Sequence, residues 1–224
     1  MEPRPVSQAV EDYVKAIYLL EQREGKVTTK ALAVALDVAA PSVTAMIKRL
    51  HAMRLVRYTR YRGVALTPAG RRMALEVIRH HRLLELYLVE ALGLPWDQVH
   101  AEADRLEHVI SEEVEERIAE RLGHPVADPH GDPIPTRGGE VEGPFGLPLS
   151  ELTPGTAAVI KRVGDQDPAK LRYLATLGLF PQVRVTLLEK APFGGPMSLE
   201  VGDTRCTLGG EMARQIYVLP IEAL

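Results

Sequence analysis

Residues 41–67, PSVTAMIKRLHAMRLVRYTRYRGVALT, join a helical pattern to a hairpin pattern. Pro41 can open a helix, because the first turn needs no backbone N–H and proline's fixed φ is already helical. Val43, Met46, Ile47 and Leu50 follow at spacings of three and four, marking the inward face of a helix that runs to Met53. Ser42, Thr44, Lys48 and Arg49 fall on its polar face. Two short β-rich runs then flank Arg60–Gly63, which predicts a hairpin with glycine in the turn. A polar, basic helix followed by a hairpin is the arrangement of a winged helix-turn-helix. Pro41, Ser42 and Thr44 at its N-terminal end would approach base edges, with Lys48 and Arg49 on phosphates. Arg60 and Arg62 at the wing tip would enter a minor groove or touch phosphate.

Upstream, Val10, Val14, Ile17 and Leu20 predict a first helix over Ser7–Glu24. Thr28 or Thr29 caps a second, KALAVAL, which ends near Asp37, and Val38-Ala39-Ala40 makes the turn into the third. Downstream, Thr67-Pro68 starts a long helix that runs towards Leu92, with Met73, Val77, Leu84 and Leu88 on one face. Gly93-Leu94-Pro95 breaks it, and a further helix is expected from about Asp97 to Leu122.

That last helix contains Val99–Ser111, VHAEADRLEHVIS. His100, Asp104, Glu107 and His108 are linked by offsets of three and four, so neighbouring side chains share a face. Imidazoles and carboxylates gathered there suit a divalent cation. Glu112, Glu113, Glu115 and Glu116 read as a solvated face. Residues 124–150 are rich in proline and glycine and read as a linker or ordered loop. From Thr153 the pattern changes to the short β-rich runs AAVI, VRVTLL, SLEV and QIYVL, with one helix over Ala169–Leu177: a small β-barrel.

The net charge of −3 conceals an asymmetry. Residues 1–73 hold 13 Lys and Arg against 6 Asp and Glu, whereas residues 74–140 hold 6 against 15. A basic head suits a phosphate backbone and an acidic middle suits cations. One cysteine, Cys206, excludes an internal disulfide and a thiolate zinc cage. No apolar run reaches membrane-spanning length and MEPRPVSQ is not a signal peptide, so a cytoplasmic protein without a membrane partner is expected. There is no His-Glu-x-x-His, no repeated Glu-x-x-His, no phosphate loop and no nucleophile elbow, so an enzyme is not expected. A metal nest beside a DNA reader points to a metal-sensing transcription factor. A winged-helix regulator with an organic effector and a carboxylate–histidine metalloenzyme are the competing classes.

SQAVEDYVKAIYLL, PSVTAMIKRL, RGVALTPAG, HHRLLE, VHAEADRLEHVISEEVEERI and PHGDPIP, in collinear order over most of residues 6–135, resemble the diphtheria toxin repressor family. The likeness is to its manganese transport regulator branch. LxELxPGxxAxI, RYLATLGLFPQ and APFGGP resemble the SH3-like domain of longer members and of ferrous-iron transport accessory proteins. The resemblance implies a mainly α protein with a small β domain: a winged helix over 1–73, a helical metal-binding and dimerisation domain over 74–140, and an SH3-like β-barrel over 141–224. It implies a homodimer on a palindromic double-stranded DNA operator, repressing metal uptake genes.

The resemblance also implies ligands. The activating site falls on Asp12, Asp104, Glu107 and His108, with His81 close by. Iron-type members tend to carry sulfur at the positions of Asp12 and Asp104. Hard oxygen ligands there favour Mn(II), with Fe(II) as the alternative. Lys15 stands where some manganese members have a carboxylate for a second ion. An ancillary site is implied at His81, Glu85 and His100 in the iron type, or at Glu85, Asp128 and His130 in the manganese type. The residue by which the SH3-like domain would complete the ancillary site falls near Asp165 or Asp167.

Overall fold

The computed structural model describes residues 7–59, 63–141, 143 and 146–221. The chain divides into two compact units. The first contains residues through His81, Glu107–Ile110 and Pro135–Glu140, and the second Arg82–Leu106, Ser111–Ile134 and the chain from Val141 onward.

In the first unit, α1 (Gln8–Glu24), α2 (Thr29–Ala35) and α3 (Ala40–Ala52) precede a hairpin of β1 (Val56–Thr59) and β2 (Gly63–Leu66). Val10, Val14, Ile17 and Leu20 of α1 are buried, as their spacing predicts. The Thr28 hydroxyl accepts from the Ala31 N–H and caps α2. Pro41 lies in the first turn of α3, where Val43, Ile47 and Leu50 face inward and Met46 is half-buried. The hairpin is antiparallel, with Val56 opposite Leu66 and Thr59 opposite Gly63. Gly63 has φ +99, and a Cβ there would come 2.6 Å from the Val27 carbonyl oxygen. That carbonyl accepts from the Val64 N–H, so glycine lets a third backbone segment flank the wing. Thr67 caps the next helix, α4 (Pro68–Glu90), by accepting from the Gly70 N–H.

In the second unit, the helix expected from Asp97 to Leu122 is two helices, α5 (Val99–Leu106) and α6 (Glu112–Arg121). Ser111 accepts from the Val114 N–H and acidic residues fill the first turn of α6, which favours a new helix start there. Glu107 and His108 therefore sit in a turn, not on a continuous helix. Glu115 is buried rather than part of a solvated face.

Residues 124–134 form an ordered loop rather than a linker. One Asp128 carboxylate oxygen accepts from the backbone N–H groups of His130 and Asp132, and Ala127 bridges Pro133. A six-stranded antiparallel sheet follows. Its strands are β3 (Leu147–Pro148), β4 (Ala157–Val163), β5 (Arg184–Lys190), β6 (Met197–Val201), β7 (Thr204–Leu208) and β8 (Ile216–Pro220), in the order β3-β8-β4-β5-β6-β7. Helices α7 (Pro168–Thr176) and α8 (Gly210–Ala213) complete this part. Ala158, Ile160, Val185, Leu187, Met197, Leu199, Ile216 and Val218 form its core with Leu171 and Leu174 of α7. The alternation on β4 slips after Ile160, where a bulge turns Val163 rather than Arg162 into the core. Arg162 is thereby freed to meet the 124–134 loop.

No single described helix is long and apolar enough to cross a membrane. Gly131 has φ +85, and a Cβ there would overlap the Lys161 carbonyl oxygen. Gly131→Ala should cost about 2–4 kcal/mol, since strain and a backbone clash act together. Urea unfolding would register this, and a loss below about 0.5 kcal/mol would mean that the loop is not locked against β4.

Candidate metal centres

Among the described residues, one cluster of potential ligands forms wholly within each unit. In the first, burial of Val10, Val14 and Ile17 fixes the rotation of α1 and brings Glu11, Asp12 and Lys15 to one side. The 107–110 turn supplies the rest. His108 Nδ1 lies 2.6 Å from Glu11 Oε2, while Nε2 lies 2.9 Å from Asp12 Oδ1 and 3.2 Å from Glu107 Oε1. One ligand atom each from Asp12, Glu107 and His108 can be chosen so that all lie within 4.8 Å of one another. The Lys15 ammonium donates to both Glu107 oxygens, at 2.9 and 2.7 Å, and lies 3.0 Å from His81 Nδ1. His81 Nδ1 is itself 2.5 Å from Glu107 Oε2, and His80 Nδ1 donates to the Glu107 carbonyl at 3.1 Å. Glu107 is 2% exposed, so its charge is held almost entirely by these neighbours. Burial pushes the Asp12 carboxyl up from its usual range and Glu107 adds to this, against His108 and Lys15. Glu11 is a member that the sequence reading misses; its only signal is its place beside Asp12 on the same turn.

Asp104 belongs to the second unit. It is exposed on α5, with its carboxylate 3.6 Å from His100 Nε2 one turn earlier. His100 Nδ1 in turn lies 2.9 Å from Glu85 Oε1.

The second cluster joins Glu85 of α4 to Asp128 and His130 of the ordered loop. Their ligand atoms again fit within 4.8 Å, and all three residues are buried. His130 Nε2 lies 2.9 Å from the Trp96 carbonyl oxygen, which can only accept, so Nε2 carries a proton. In the neutral ring the lone pair is then on Nδ1, which faces Glu85 Oε2 at 3.7 Å and Asp128 Oδ1 at 3.9 Å. The Trp96 ring stacks on the imidazole at 5.5 Å. His130 Nδ1 and Asp128 Oδ2 are buried without a hydrogen bond, as groups shaped for an ion would be. Two carboxylates and an imidazole are hard and borderline donors, so the set fits a divalent first-row ion. Burial pulls the His130 pKa down, but Glu85 and Asp128 outweigh it and push it up to about 9. Burial first, then Glu85 and Asp132, hold the Asp128 carboxyl well above its ordinary range.

Arg82 and Arg162 rim this cluster. Arg82 Nε is 3.8 Å from Asp128 Oδ2, and Arg162 Nε is 2.7 Å from Asp132 Oδ1. Asp165 and Asp167, expected near this cluster, are not among the residues whose ligand atoms gather within it. Asp165 accepts from Lys170 Nζ at 2.5 Å and from the Asp167 N–H, and Asp167 caps α7 through the Ala169 N–H. These contacts tie both residues to the start of α7.

On α3, Pro41, Ser42, Thr44, Lys48 and Arg49 are all exposed. The Thr44 hydroxyl donates to the Ala40 carbonyl at 3.1 Å. Arg60 and Arg62 of the expected wing tip lie outside the described residues.

Comparison with known proteins accounts for both units. Residues 6–64 match the N-terminal DNA-binding domain of the iron dependent repressors, 67–136 their metal binding and dimerisation domain, and 147–220 the FeoA domain. The chain is 37% identical to the iron-dependent repressor IdeR of Mycobacterium tuberculosis, covering 93% of this chain and 95% of that protein. Among solved structures, a manganese-dependent transcriptional repressor in complex with manganese is 38% identical with a TM-score of 0.87, covering 95% of this chain and all of that one. The IdeR of T. acidophilum is 30% identical with a TM-score of 0.77, covering 98% of this chain and 100% of that one. These relatives are transcriptional repressors, not enzymes. With its DNA-binding, metal-binding and dimerisation domains, the chain belongs to the iron-dependent repressor (diphtheria toxin repressor) family and is a metal-dependent transcriptional repressor.

Proposed function

We propose that this repressor is activated by Mn(II) through Asp12, Asp104, Glu107 and His108, with His81 adjoining. The observation that carries the reading is the meeting of Asp12 of α1 with His108 and Glu107 of the 107–110 turn. Asp12 and Asp104 offer oxygen where sulfur would favour a softer ion. A bound ion supplies positive charge that neutralises these carboxylates. Asp12, carried by the helix that packs on α2 and on the wing strand β2, then holds the reading head in one position relative to the turn. Shifting such a head from 1:99 to 99:1 takes about 5.5 kcal/mol of differential binding. Structural zinc sites supply about 10–16 kcal/mol, so the demand is within reach of a weaker-binding ion.

The active species in this reading is a cytoplasmic homodimer on a palindromic operator, its two α3 helices roughly 34 Å apart or a multiple of that. Ser42 and Thr44 contact bases, and Lys48 and Arg49 contact phosphates. Glu85, Asp128 and His130 hold a second ion. Iron is the alternative activator, favoured by the 2.9 Å contact of His100 with Glu85, the pair that iron-type members use.

Operator titrations with Mn²⁺, Fe²⁺ and Zn²⁺ test the assignment. Mn²⁺ should activate the wild type, and Asp12→Ala should bind the operator no better with Mn²⁺ than with chelator. Activation by Fe²⁺ at concentrations where Mn²⁺ fails would make iron the activator. Lys48→Ala should weaken binding evenly across operator sequences and lower the salt slope by about one. A loss confined to one base position would instead make Lys48 a base reader.

The second cluster has a pH signature. His130 is raised above its ordinary 6.5, so in the metal-free protein its stabilising contribution is complete below pH 6.5 and is lost as pH rises through about 9. The raised Asp128 acts in the same direction. Melting temperature without metal should fall between pH 7 and 10, and His130→Gln should flatten that fall. An equal fall in the variant would remove His130 from this role.

A further inference from the structure

We propose that Lys15 is a built-in competitor for Glu107, a tethered cation that sets how much divalent ion is needed to load the first cluster. The inference rests on that cluster being the activating site. Glu107 Oε1 is the oxygen in question. It faces His108 Nε2 at 3.2 Å, on the side where Asp12 also converges, and it accepts from Lys15 Nζ at 2.9 Å. Oε2 accepts from the same ammonium at 2.7 Å and adjoins His81 at 2.5 Å. Both oxygens of the most buried carboxylate of the cluster are thus engaged by one lysine before any ion arrives.

An ion seated by Asp12, Glu107 and His108 must share Oε1 with that ammonium or displace it. Sharing brings two positive centres onto one carboxylate at short range, where the surroundings are only partly water and screening is weak. Lys15 is partly buried on α1, one turn from Glu11 and Asp12, so its amine cannot retreat far into solvent. The same charge stabilises Glu107 while the site is empty, since a buried carboxylate left without a cation is costly. Lys15 therefore keeps the empty site folded and raises the ion concentration needed to fill it. A monovalent or weakly held ion would not win Oε1, whereas a divalent ion with the added grip of Asp12 and His108 can.

The test is a Mn²⁺ titration of the full-length protein, followed by the EPR signal of the free ion, for wild type, Lys15→Gln, Lys15→Arg and Asp12→Ala. Lys15→Gln keeps a donor near Glu107 and removes the charge. It should lower the dissociation constant of the Asp12-dependent ion by about tenfold or more, and Lys15→Arg should remain near wild type. Circular dichroism of each variant checks that the fold is retained. Unchanged or weaker Mn²⁺ binding by Lys15→Gln makes the lysine a scaffold and overturns the proposal. Tightening by Lys15→Arg as well overturns it too, because charge would not be the cause. The activating-site reading fails in a different way: Asp12→Ala would then bind Mn²⁺ as wild type does, and the competitor role would fall with it.

Discussion

A carboxylate taken out of water must be met by a cation or a proton, and Glu107 is where this chain meets that demand. It lies just beyond the last turn of α5, nearly devoid of solvent contact, between Lys15 of α1 and His81 of α4. The backbone there is also held, by His80 on the Glu107 carbonyl. Elements more than sixty residues apart in sequence converge on one acid. In the first unit the DNA-reading head, its supporting helix and the candidate ion site are therefore parts of one electrostatic problem. The break between α5 and α6 belongs to the same problem: an uninterrupted helix would keep Glu107 and His108 on a rod, whereas a turn lets both reach α1.

The second cluster meets the demand differently. Glu85, Asp128 and His130 are buried together, and without an ion the proton on His130 and the nearby arginines share the charge. The loop that presents two of them is fastened by backbone contacts. The Val163 N–H donates to the His130 carbonyl, and the bulge in β4 releases Arg162 to Asp132. Glu85 offers one oxygen to His100 and the other to His130. A single acid thus belongs to both ancillary ligand sets that the resemblance implies, with one oxygen towards each histidine.

Much of this was legible in the amino-acid order. Helical spacing located α1, α3 and α4, the hairpin was readable from Gly63, and Asp12, Glu107, His108, Glu85, Asp128 and His130 were reachable through resemblance. What escaped did so for physical reasons. Ser111 followed by acidic residues marks a helix start, but the apolar period continues across it and hides the break. Strand β7 has almost no alternation, and its signal is the two-residue Gly202-Asp203 turn that pairs Val201 with Thr204. Asp165 and Asp167 read as ligands because they are acidic and near the right place, and in the structure their hydrogen bonds run to Lys170 and to the start of α7. Glu11 was passed over because nothing in spacing separates it from a surface acid; only the position of His108 reveals it.

In the proposed active state one ion joins α1 to the 107–110 turn. Amide hydrogen exchange of the full-length protein, with and without Mn²⁺, tests it most directly. Slowed exchange in the middle of α1 and in residues 107–110 together, at the same ion concentration, is the predicted result. Protection in only one of the two segments, or in neither, would contradict a shared ion and leave the head and the turn without the proposed link.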